Sequence, residues 1–395
     1  MILSDTLTPP LICGTAELTE LAYRRDLAAV HAHVEAAHAG TPEVAPARLF
    51  DTAIAARLAF RDDDAQALQD MAVTATPLLR LRATSEGRPR VLALCGTGDL
   101  MVNTPLDFFT TPAGARLDLL FLRDQAPLPA VLPDHDVAVF AHGAPDGEML
   151  ARLSALHAAW PRPTLNDPAL LPLLARDALA PTLDGFAEIL TPLAVSVSRA
   201  AVAMGDACDT WPCLIRPRAS HAGHGLARLG GPNDVTAYLA ATSGEAFFLT
   251  PYVDYASADG LFRKYRIAFI GAVPHLAHMA VSDHWMVHYL NAGMTESAIR
   301  RAEEEAAMDD FASGFARRHA AALTALTTRI PLDLWSIDCA ETRDGRLLLF
   351  EADIAAIIHL MDPPDMFPYK HRHMPRLFAA FADLLRERAA VGSGK

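Results

Sequence analysis

Near the C-terminal end of this chain, carboxylates stand at positions where a strand would bury apolar side chains. Residues 336–355 predict two strands joined by an Asp-Gly turn at 344–345, because glycine accepts the positive φ that a tight hairpin turn requires. On the returning strand Glu351 shares a face with Leu349, and Asp353 extends that face by period-two alternation. The pattern therefore aims carboxylates at the side of the strand that also carries leucine.

Acidic side chains grouped in this way have a definite chemistry. Two carboxylates about 4 Å apart repel each other by about 4 kcal/mol at an effective dielectric constant of about 20, so such a group needs a proton or a cation. Oxygen ligands with open positions suit magnesium better than zinc. The alternative is a surface hairpin whose acids are merely solvated, as is common on edge strands. The hairpin taken alone does not decide between the two.

A second group of residues has the chemistry to bind phosphate. A predicted strand at 212–217 ends in cations, Arg216 and Arg218, and is followed by a loop that contains Gly223 and Gly225. Exposed backbone N–H groups in such a loop can approach phosphate oxygens, and guanidinium groups match them bidentately. A Gly-x-Gly between strands is by itself most often a simple turn, so this indication depends on its neighbours.

Two further segments carry candidate binding residues. Residues 247–254 predict an apolar strand that opens into a linker, which can clamp a flat base while backbone groups hydrogen-bond its edge. In the next predicted strand, at 263–270, Lys264 and Arg266 share one face. A solvated cationic edge is the alternative, but Ile267 follows at once and predicts partial burial.

Histidines form another set of candidates. His284 and His288 have helical i,i+4 spacing, which could bind zinc, although an HExxH motif is absent. Imidazoles in this region could instead line a pocket for an acceptor substrate, where they would hydrogen-bond the substrate or act as a base. We favour the second interpretation and regard the remaining histidines as surface or structural residues.

Composition narrows the class of protein. A chain of 395 residues that is 51% hydrophobic and 21% charged can bury a large core and should form two or three domains. The net charge of −13 argues against a general nucleic-acid-binding surface. No apolar run is long enough to cross a bilayer and no leader pattern is present, so we expect a cytoplasmic protein that does not enter membranes.

The cysteine content and the ratio of arginine to lysine are both informative. The five scattered cysteines are typical of reduced, mostly structural thiols. Arginine outnumbers lysine 31 to 3, so an expected catalytic lysine could be replaced by arginine in this chain.

The order of predicted elements divides the chain into four parts. Residues 1–86 have helical spacing and predict an all-helical module, which we expect to be a cap rather than a partner-binding surface. Residues 87–168 alternate short apolar runs with helix-compatible segments, which indicates a small parallel α/β domain. Residues 169–254 and 255–390 predict two α+β subdomains, with a helix at about 296–328, a C-terminal helix at 371–389 and disorder at 391–395.

Over residues 88–385 the chain resembles the ATP-grasp superfamily, most nearly its glutathione synthetase and ribosomal-protein glutamate-ligase branch. The resemblance rests on motif order: an Asn-Asp-Pro at 166–168, the Gly loop, the linker strand, Lys264-x-Arg266, and the acidic hairpin. It implies an α/β and α+β fold in which a small parallel α/β domain precedes two α+β subdomains that clamp ATP.

The resemblance also implies roles for individual residues. The nucleotide-binding positions are Arg216, Arg218, Gly223, Gly225, Thr250, Tyr252 and Val253. The magnesium ligands are Asp338, Glu351 and Asp353. Arg266 binds the substrate carboxylate or the transferred phosphoryl group, and Lys264 and His288 are candidates for the acceptor site. The chain departs from the family pattern at Arg216, where Lys is usual, at Ser220, where many members have Gly, and at Asp353, where Asn is usual.

The implied function is an ATP-dependent carboxylate–amine ligase that uses ATP and Mg²⁺ and forms an amide or peptide-type bond through an acyl phosphate. Its partners would be small-molecule or peptide carboxylates and amines, a homodimer would agree with the family, and the N-terminal helices could bind a partner. Two alternatives remain: an ATP-binding regulatory or interaction module without ligase activity, and a His/Asp/Glu transition-metal hydrolase.

Overall fold

The structure is a computed structural model that describes residues 2–123, 126–204, 210–218, 220 and 223–392. The chain forms two compact units. The first unit consists of Met1–Leu171, Leu332–Trp335 and Asp353–Lys395, and the second consists of Pro172–Pro331 and Ser336–Ala352. No helix among the described residues combines the length and apolar character that crossing a membrane would require.

The N-terminal part of the first unit is mainly helical. Its elements are β1 Ile2–Ser4, β2 Leu11–Ile12, α1 Thr15–Arg24, α2 Leu27–Ala37, α3 Pro46–Leu58, α4 Asp62–Ala75 and β3 Leu78–Leu81. Asp26 caps α2 by accepting a hydrogen bond from the Ala29 N–H. Val30 and Val34 lie one turn apart on the buried face of α2, which is how this helix attaches to the rest of the unit.

The rest of the first unit is built around a six-stranded sheet. Its remaining elements are β4 Arg90–Cys95, α5 Asp107–Ala113, β5 Arg116–Phe121, β6 Val131–Pro133, β7 Val137–Phe140, α6 Gly147–Ala158 and β8 Thr164–Leu165. The strand order is β2-β3-β5-β4-β7-β8, with β4 parallel to both β5 and β7. These central strands are nearly continuous apolar runs because helices or loops cover both faces of a parallel sheet. The C-terminal helix Lys370–Gly392 packs in this unit, where Phe378 and Phe381 contact Phe109 of α5.

The second unit contains two sheets. Its first elements are α7 Arg176–Thr182, β9 Ile189–Leu190, β10 Val195–Ser198, α8 Arg199–Met204, β11 Cys213–Pro217, β12 Ala227–Leu229, α9 Pro232–Ala241 and β13 Ala246–Pro251. Four of these strands form a small antiparallel sheet in the order β10-β13-β11-β12. Its apolar side packs against α8 and α9 through a core that includes Ile215, Tyr238 and Phe247.

The second sheet carries five of the candidate residues, namely Lys264, Arg266, Asp338, Glu351 and Asp353. The elements in this part of the chain are β14 Phe262–Ile270, β15 Val273–Ser282, α10 Ala298–Asp309, α11 Phe315–Arg318, α12 Ala320–Arg329, β16 Leu334–Glu341 and β17 Leu347–Asp353. The five strands lie in the order β15-β14-β16-β17-β9. Gly345 has φ 83° in the turn between β16 and β17, which is the conformation that the Asp-Gly pair predicted.

The mixed α/β fold class is confirmed, and the structure refines several predicted elements. The N-terminal region has the expected helices but also contributes β2 and β3 to the large sheet, so residues 1–86 and 87–168 share one compact unit. The helix predicted at 296–328 is three shorter helices. The C-terminal helix reaches Gly392, which corrects the predicted disorder at 391–392, and residues 393–395 lie outside the described residues.

Asn166 links two distant segments within the first unit. It is 1% exposed and has φ 60°, an uncommon conformation that asparagine tolerates. Its Nδ2 donates to the Leu334 carbonyl at 2.9 Å, and its Oδ1 accepts from the N–H groups of Asp333 and Leu334, both at 2.9 Å. One side chain therefore satisfies three backbone groups of the segment that leads into β16.

We predict that Asn166→Ala lowers the free energy of unfolding by about 3 kcal/mol, because buried backbone groups lose their partners. Asn166→Gly accepts the positive φ and should recover only the smaller, conformational part of this loss. Urea denaturation measures both effects, with the exposed Asn291→Ala as the matched control. Equal stability of Asn166→Ala and Asn291→Ala would show that these hydrogen bonds do not support the fold.

Candidate functional site

A buried carboxylate lies between two cations on neighbouring strands of the second unit. Asp338 of β16 is 3% exposed. Its Oδ2 accepts from Lys264 Nζ at 2.8 Å, and the Arg266 guanidinium donates to both of its oxygens at 2.7 and 3.0 Å. Lys264 and Arg266 alternate with buried residues along β14, so their side chains lie on the same face of the sheet. The structure thus brings two cations of one predicted strand together with an acidic residue that the sequence had placed on a separate segment.

The charges around Asp338 determine its protonation state. Burial by itself raises the pKa of this carboxyl, because the charged form loses its hydration. Arg266 and Lys264 more than reverse that effect, so the pKa of Asp338 lies well below its usual range. The carboxylate is therefore ionised throughout the physiological pH range.

Glu351 extends the cluster to the next strand. It lies on β17, beside β16, and its Oε2 accepts a hydrogen bond from Arg176 Nη2 at the start of α7. The attraction of Arg176 and Lys264 lowers the pKa of Glu351 against the opposing effects of burial and of the Asp338 charge. Each of these two carboxylates is thus neutralised by at least one cation.

Arg216 supplies a further positive charge from the small sheet. Burial lowers the pKa of its guanidinium to about 10, and repulsion by Arg176 acts in the same direction while Glu351 opposes it. Its Nε donates to Ser220 Oγ at 3.2 Å and its Nη2 donates to the Ser220 carbonyl. Ser220 therefore orients this arginine.

The loop that follows Arg216 has the backbone expected of a glycine-rich turn. Gly223 and Gly225 have φ values of 75° and 67°, which side chains rarely adopt. A Cβ at Gly225 would also lie 2.7 Å from Pro217 Cδ, so this position has no room for a side chain. Ala219, His221 and Ala222 lie outside the described residues.

His288 is half-buried beside the same charges. Burial lowers the pKa of its imidazole, and the positive charges of Lys264 and Arg266 lower it further. The ring is therefore neutral near pH 7, with one nitrogen able to accept a proton. His284 and His288 do not lie on a helix, because residues 283–286 form bends and 287–288 have no regular structure before a short 3₁₀ helix, which corrects the helical interpretation of their spacing.

The predicted base-binding segment lies at the end of β13. Thr250 pairs with Leu214 of β11, and the Tyr252 N–H donates to the Pro212 carbonyl at 3.2 Å, so the linker starts from a fixed position. The Tyr252 ring contacts the Trp285 ring edge-on, with centroids 5.8 Å apart, and the Arg228 guanidinium lies 4.1 Å from the Tyr252 centroid. This arrangement presents aromatic and cationic surface of the kind that stacks on a flat base.

Three other predicted residues have plain structural surroundings. Val253 is partly buried in the linker after β13. The Arg218 guanidinium lies over the Phe248 ring at 5.7 Å and donates to Ser196 Oγ at 3.3 Å. Asp353 belongs to the first unit, where its Oδ1 accepts from the N–H groups of Ala355 and Ala356 at 2.9 and 2.6 Å. These contacts are with other protein groups and do not indicate a ligand, so the proposed roles of the three residues stay predictions.

The donor set of the cluster is compatible with magnesium. Asp338 and Glu351 offer carboxylate oxygens from neighbouring strands, and Mg²⁺ commonly takes one or two carboxylates together with water and phosphate oxygens. Among the described residues of the second unit, no three His, Cys, Asp or Glu ligand atoms lie within 4.8 Å of one another. A closed transition-metal site is therefore not formed by the described part of this unit.

The balance of charge in the cluster is positive. Among the described residues that these ion pairs and charge effects connect, four cations outnumber two carboxylates: Arg176, Arg216, Lys264 and Arg266 against Asp338 and Glu351. Such an excess in a partly buried place attracts an anion, because nearby water is too scarce to screen the mutual repulsion fully. A bare divalent cation would increase this imbalance, whereas a cation that arrives with a polyphosphate would not.

Sequence reasoning missed Arg176 and Arg228. Arg176 meets Glu351 across 175 positions of sequence, and an arginine at a helix start normally points to solvent, so no local pattern identifies it. Arg228 lies on the three-residue strand β12, where its alternation with buried neighbours was the one available signal.

Comparisons with known proteins give structural similarities alone. No protein-family model matches the chain, and no match was found among curated proteins. Among solved structures, a RimK-domain ATP-grasp protein from Sphaerobacter thermophilus is 18% identical, with 75% of this chain and 99% of that chain covered and a TM-score of 0.42. For D-alanyl-alanine synthetase A from Vibrio cholerae the identity is 11%, the coverage 77% and 99%, and the TM-score 0.48.

A third structure is the D-alanine–D-alanine ligase of Bacillus anthracis complexed with ATP, at 12% identity, 78% and 99% coverage and a TM-score of 0.44. Because each TM-score lies below 0.5, the matches by themselves establish no activity for this chain.

We predict that Asp338→Asn lowers the free energy of unfolding by about 3 kcal/mol at pH 7, because two partly buried cations lose their carboxylate. The folded-state pKa of Asp338 is depressed, so its contribution is present above the unfolded pKa of about 3.9 and is lost as the pH falls towards the folded value. The difference from wild type should thus stay constant from pH 7 to 5 and shrink below pH 4. Urea denaturation across this range measures it, with the exposed Glu296→Gln as the control. A difference that does not change with pH would contradict the ion-pair account.

Proposed function

We propose that this chain is an ATP-dependent carboxylate–amine ligase that forms an amide or peptide-type bond through an acyl-phosphate intermediate. Its substrates would be a small-molecule or peptide carboxylate and an amine, with ATP and Mg²⁺ as cofactors. A ligase that consumes ATP would work where ATP is supplied, which keeps the expectation of a cytoplasmic location. The identities of the acid and the amine are left to the experiment below.

The observation that carries this proposal is the charge balance of the cluster around Asp338. A triphosphate carries about four negative charges at neutral pH and magnesium carries two positive ones, so the pair brings about two negative charges. Among the described groups, Arg176, Arg216, Lys264 and Arg266 outnumber Asp338 and Glu351, so this place favours a ligand that brings net negative charge, as magnesium with a triphosphate does.

The residues have distinct proposed roles. Arg216, oriented by Ser220, and the N–H groups near Gly223 and Gly225 would hold phosphate oxygens. Asp338 and Glu351 would hold Mg²⁺, with Asp353 as a further predicted ligand. When bound, the magnesium ion would neutralise charge on the transferred phosphoryl group.

Three residues would contact the reacting groups. Lys264 and Arg266 would do so from β14, and His288 from the segment after β15. Arg266 would bind the carboxylate oxygens that receive the phosphoryl group and would stabilise the negative charge of the acyl phosphate. Lys264 would hold the same anionic group from the neighbouring position on the strand. His288, which is neutral near pH 7, would accept the proton that the attacking amine loses.

The alternatives make different demands on the structure. A regulatory module that binds ATP without catalysis would need the same cations, so only turnover separates it from a ligase. A transition-metal hydrolase would need a closed group of His, Asp and Glu ligands, which the described residues of the second unit do not form. We therefore favour a nucleotide-dependent reaction.

We predict that ATP with Mg²⁺ raises the thermal unfolding temperature of the wild type and that ATP with a chelator raises it less. Arg216→Met should weaken ATP binding by at least about tenfold, because a guanidinium-phosphate contact is lost, and Arg216→Lys should weaken it less. Titration calorimetry measures both, and the exposed Arg317→Met is the matched control. Nucleotide stabilisation that persists unchanged in Glu351→Gln and Arg216→Met would exclude this site.

The ligase itself is tested by ADP formation. Wild-type protein is incubated with ATP, Mg²⁺ and a panel of amino acids, dipeptides and peptides, supplied singly and in pairs. A ligase releases ADP and phosphate in proportion to a new amide bond seen by mass spectrometry, and it does so only when a carboxylate and an amine are both present. ATP binding without such turnover in any pair would favour the regulatory module.

A further inference from the structure

Five side chains of metal-ligating type meet around Cys13 in the helical part of the first unit. They come from separate elements: Cys13 follows β2, Glu17 lies on α1, His33 lies on α2, His38 follows α2, and Asp51 lies on α3. Their ligand atoms form two groups that share Cys13. In one group Cys13, His38 and Asp51 lie within 4.8 Å of one another, and in the other Cys13, Glu17 and His33 do.

The two groups differ in their exposure to solvent. Cys13, His38 and Asp51 are 1%, 3% and 0% exposed. Glu17 and His33 have side chains that are 38% and 39% exposed, and His33 Nε2 lies 2.6 Å from Glu17 Oε1. The group of Cys13, Glu17 and His33 is therefore partly open to solvent, whereas the group of Cys13, His38 and Asp51 is buried.

Asp51 has a structural role, and it does not belong to the group formed by Cys13, Glu17 and His33. Its Oδ2 accepts from the Cys13 N–H at 2.8 Å and from His38 Nε2 at 2.7 Å, and its Oδ1 accepts from the Gly14 N–H at 3.2 Å. These bonds fix the backbone on both sides of the thiol and satisfy a fully buried carboxylate. Outer carboxylate and histidine partners of this kind are what orient metal ligands in proteins.

We propose that Cys13, Glu17 and His33 bind a transition-metal ion of the zinc class, with Asp51 and His38 as positioning residues behind Cys13. Thiolate, imidazole and carboxylate are the three ligand types of zinc sites, and a thiolate excludes magnesium as the preferred ion. Three protein ligands leave the fourth tetrahedral position to water at the exposed side. When the ion binds, Cys13 Sγ releases its proton to solvent, the neutral His33 ring carries its one proton on Nδ1 instead of Nε2, and the His33–Glu17 hydrogen bond is replaced by two bonds to the metal.

A nucleophilic Cys-His-Asp arrangement fits these residues less well. Cys13 is almost completely buried, which disfavours attack on a substrate carbonyl, whereas Glu17 and His33, whose ligand atoms lie near its thiol, are partly exposed to solvent. The metal would join β2, α1 and α2 at one point. These residues belong to the first unit, and this proposal does not rest on the proposed ligase function.

The proposal is tested on the full chain after removal of metal with a chelator and exchange into chelator-free buffer. Co²⁺ is added as a spectroscopic substitute for Zn²⁺, and Zn²⁺ affinity is measured by competition with a chromogenic chelator. We expect one ion per chain, a thiolate-to-cobalt charge-transfer band, and no competition by Mg²⁺. Cys13→Ala should abolish the band, and His33→Gln should weaken Zn²⁺ binding by about 100-fold or more.

Matched variants separate binding from folding. His31→Ala removes an exposed histidine from the same helix and should leave Zn²⁺ affinity unchanged. His33→Gln alters a half-exposed side chain, so it keeps the test valid even if Cys13→Ala fails to fold. His38→Gln should weaken binding by about 10-fold, as expected for a positioning residue. Absence of a thiolate band in the wild type, or wild-type affinity in His33→Gln, would overturn the proposal.

Discussion

The ion pairs between Asp338 and the two cations Lys264 and Arg266 are the interaction on which the candidate site depends. A carboxylate that is 3% exposed persists in ionised form only because two cations on the neighbouring strand compensate for its lost hydration. In turn, the carboxylate holds two long and flexible side chains in fixed directions on one face of the sheet. Without the Asp338 carboxylate, repulsion between Lys264 and Arg266 would favour conformations in which these side chains extend into solvent.

The same cluster keeps more positive charge than its own carboxylates neutralise. Arg216 illustrates the consequence, because burial and the neighbouring Arg176 lower its pKa to about 10. A guanidinium in that environment gains more from an arriving anion than an exposed one does, since little reorganisation of solvent opposes the new contact. An anionic ligand that reached these groups would reduce this excess of positive charge.

The sequence predicted those parts of the structure that local patterns encode. The acidic hairpin follows from an Asp-Gly turn and period-two alternation, and the shared face of Lys264 and Arg266 follows from the same period. Strands β2 and β9 have two residues each, too few for any period, so their places in the sheets could not be predicted. The pairing of Arg176 with Glu351 depends on tertiary packing across 175 positions, and the cluster at Cys13 likewise joins segments that no motif connects.

The most direct test of this account is a crystal structure of the protein with Mg²⁺ and a non-hydrolysable ATP analogue. The account predicts phosphate oxygens within hydrogen-bonding distance of Arg216 and Lys264, Mg²⁺ bound to Asp338 and Glu351, and the adenine beside the linker at Tyr252. Two results at saturating nucleotide would contradict it. One is a nucleotide bound elsewhere, and the other is an Asp338 carboxylate that contacts only Lys264 and Arg266 and binds no Mg²⁺.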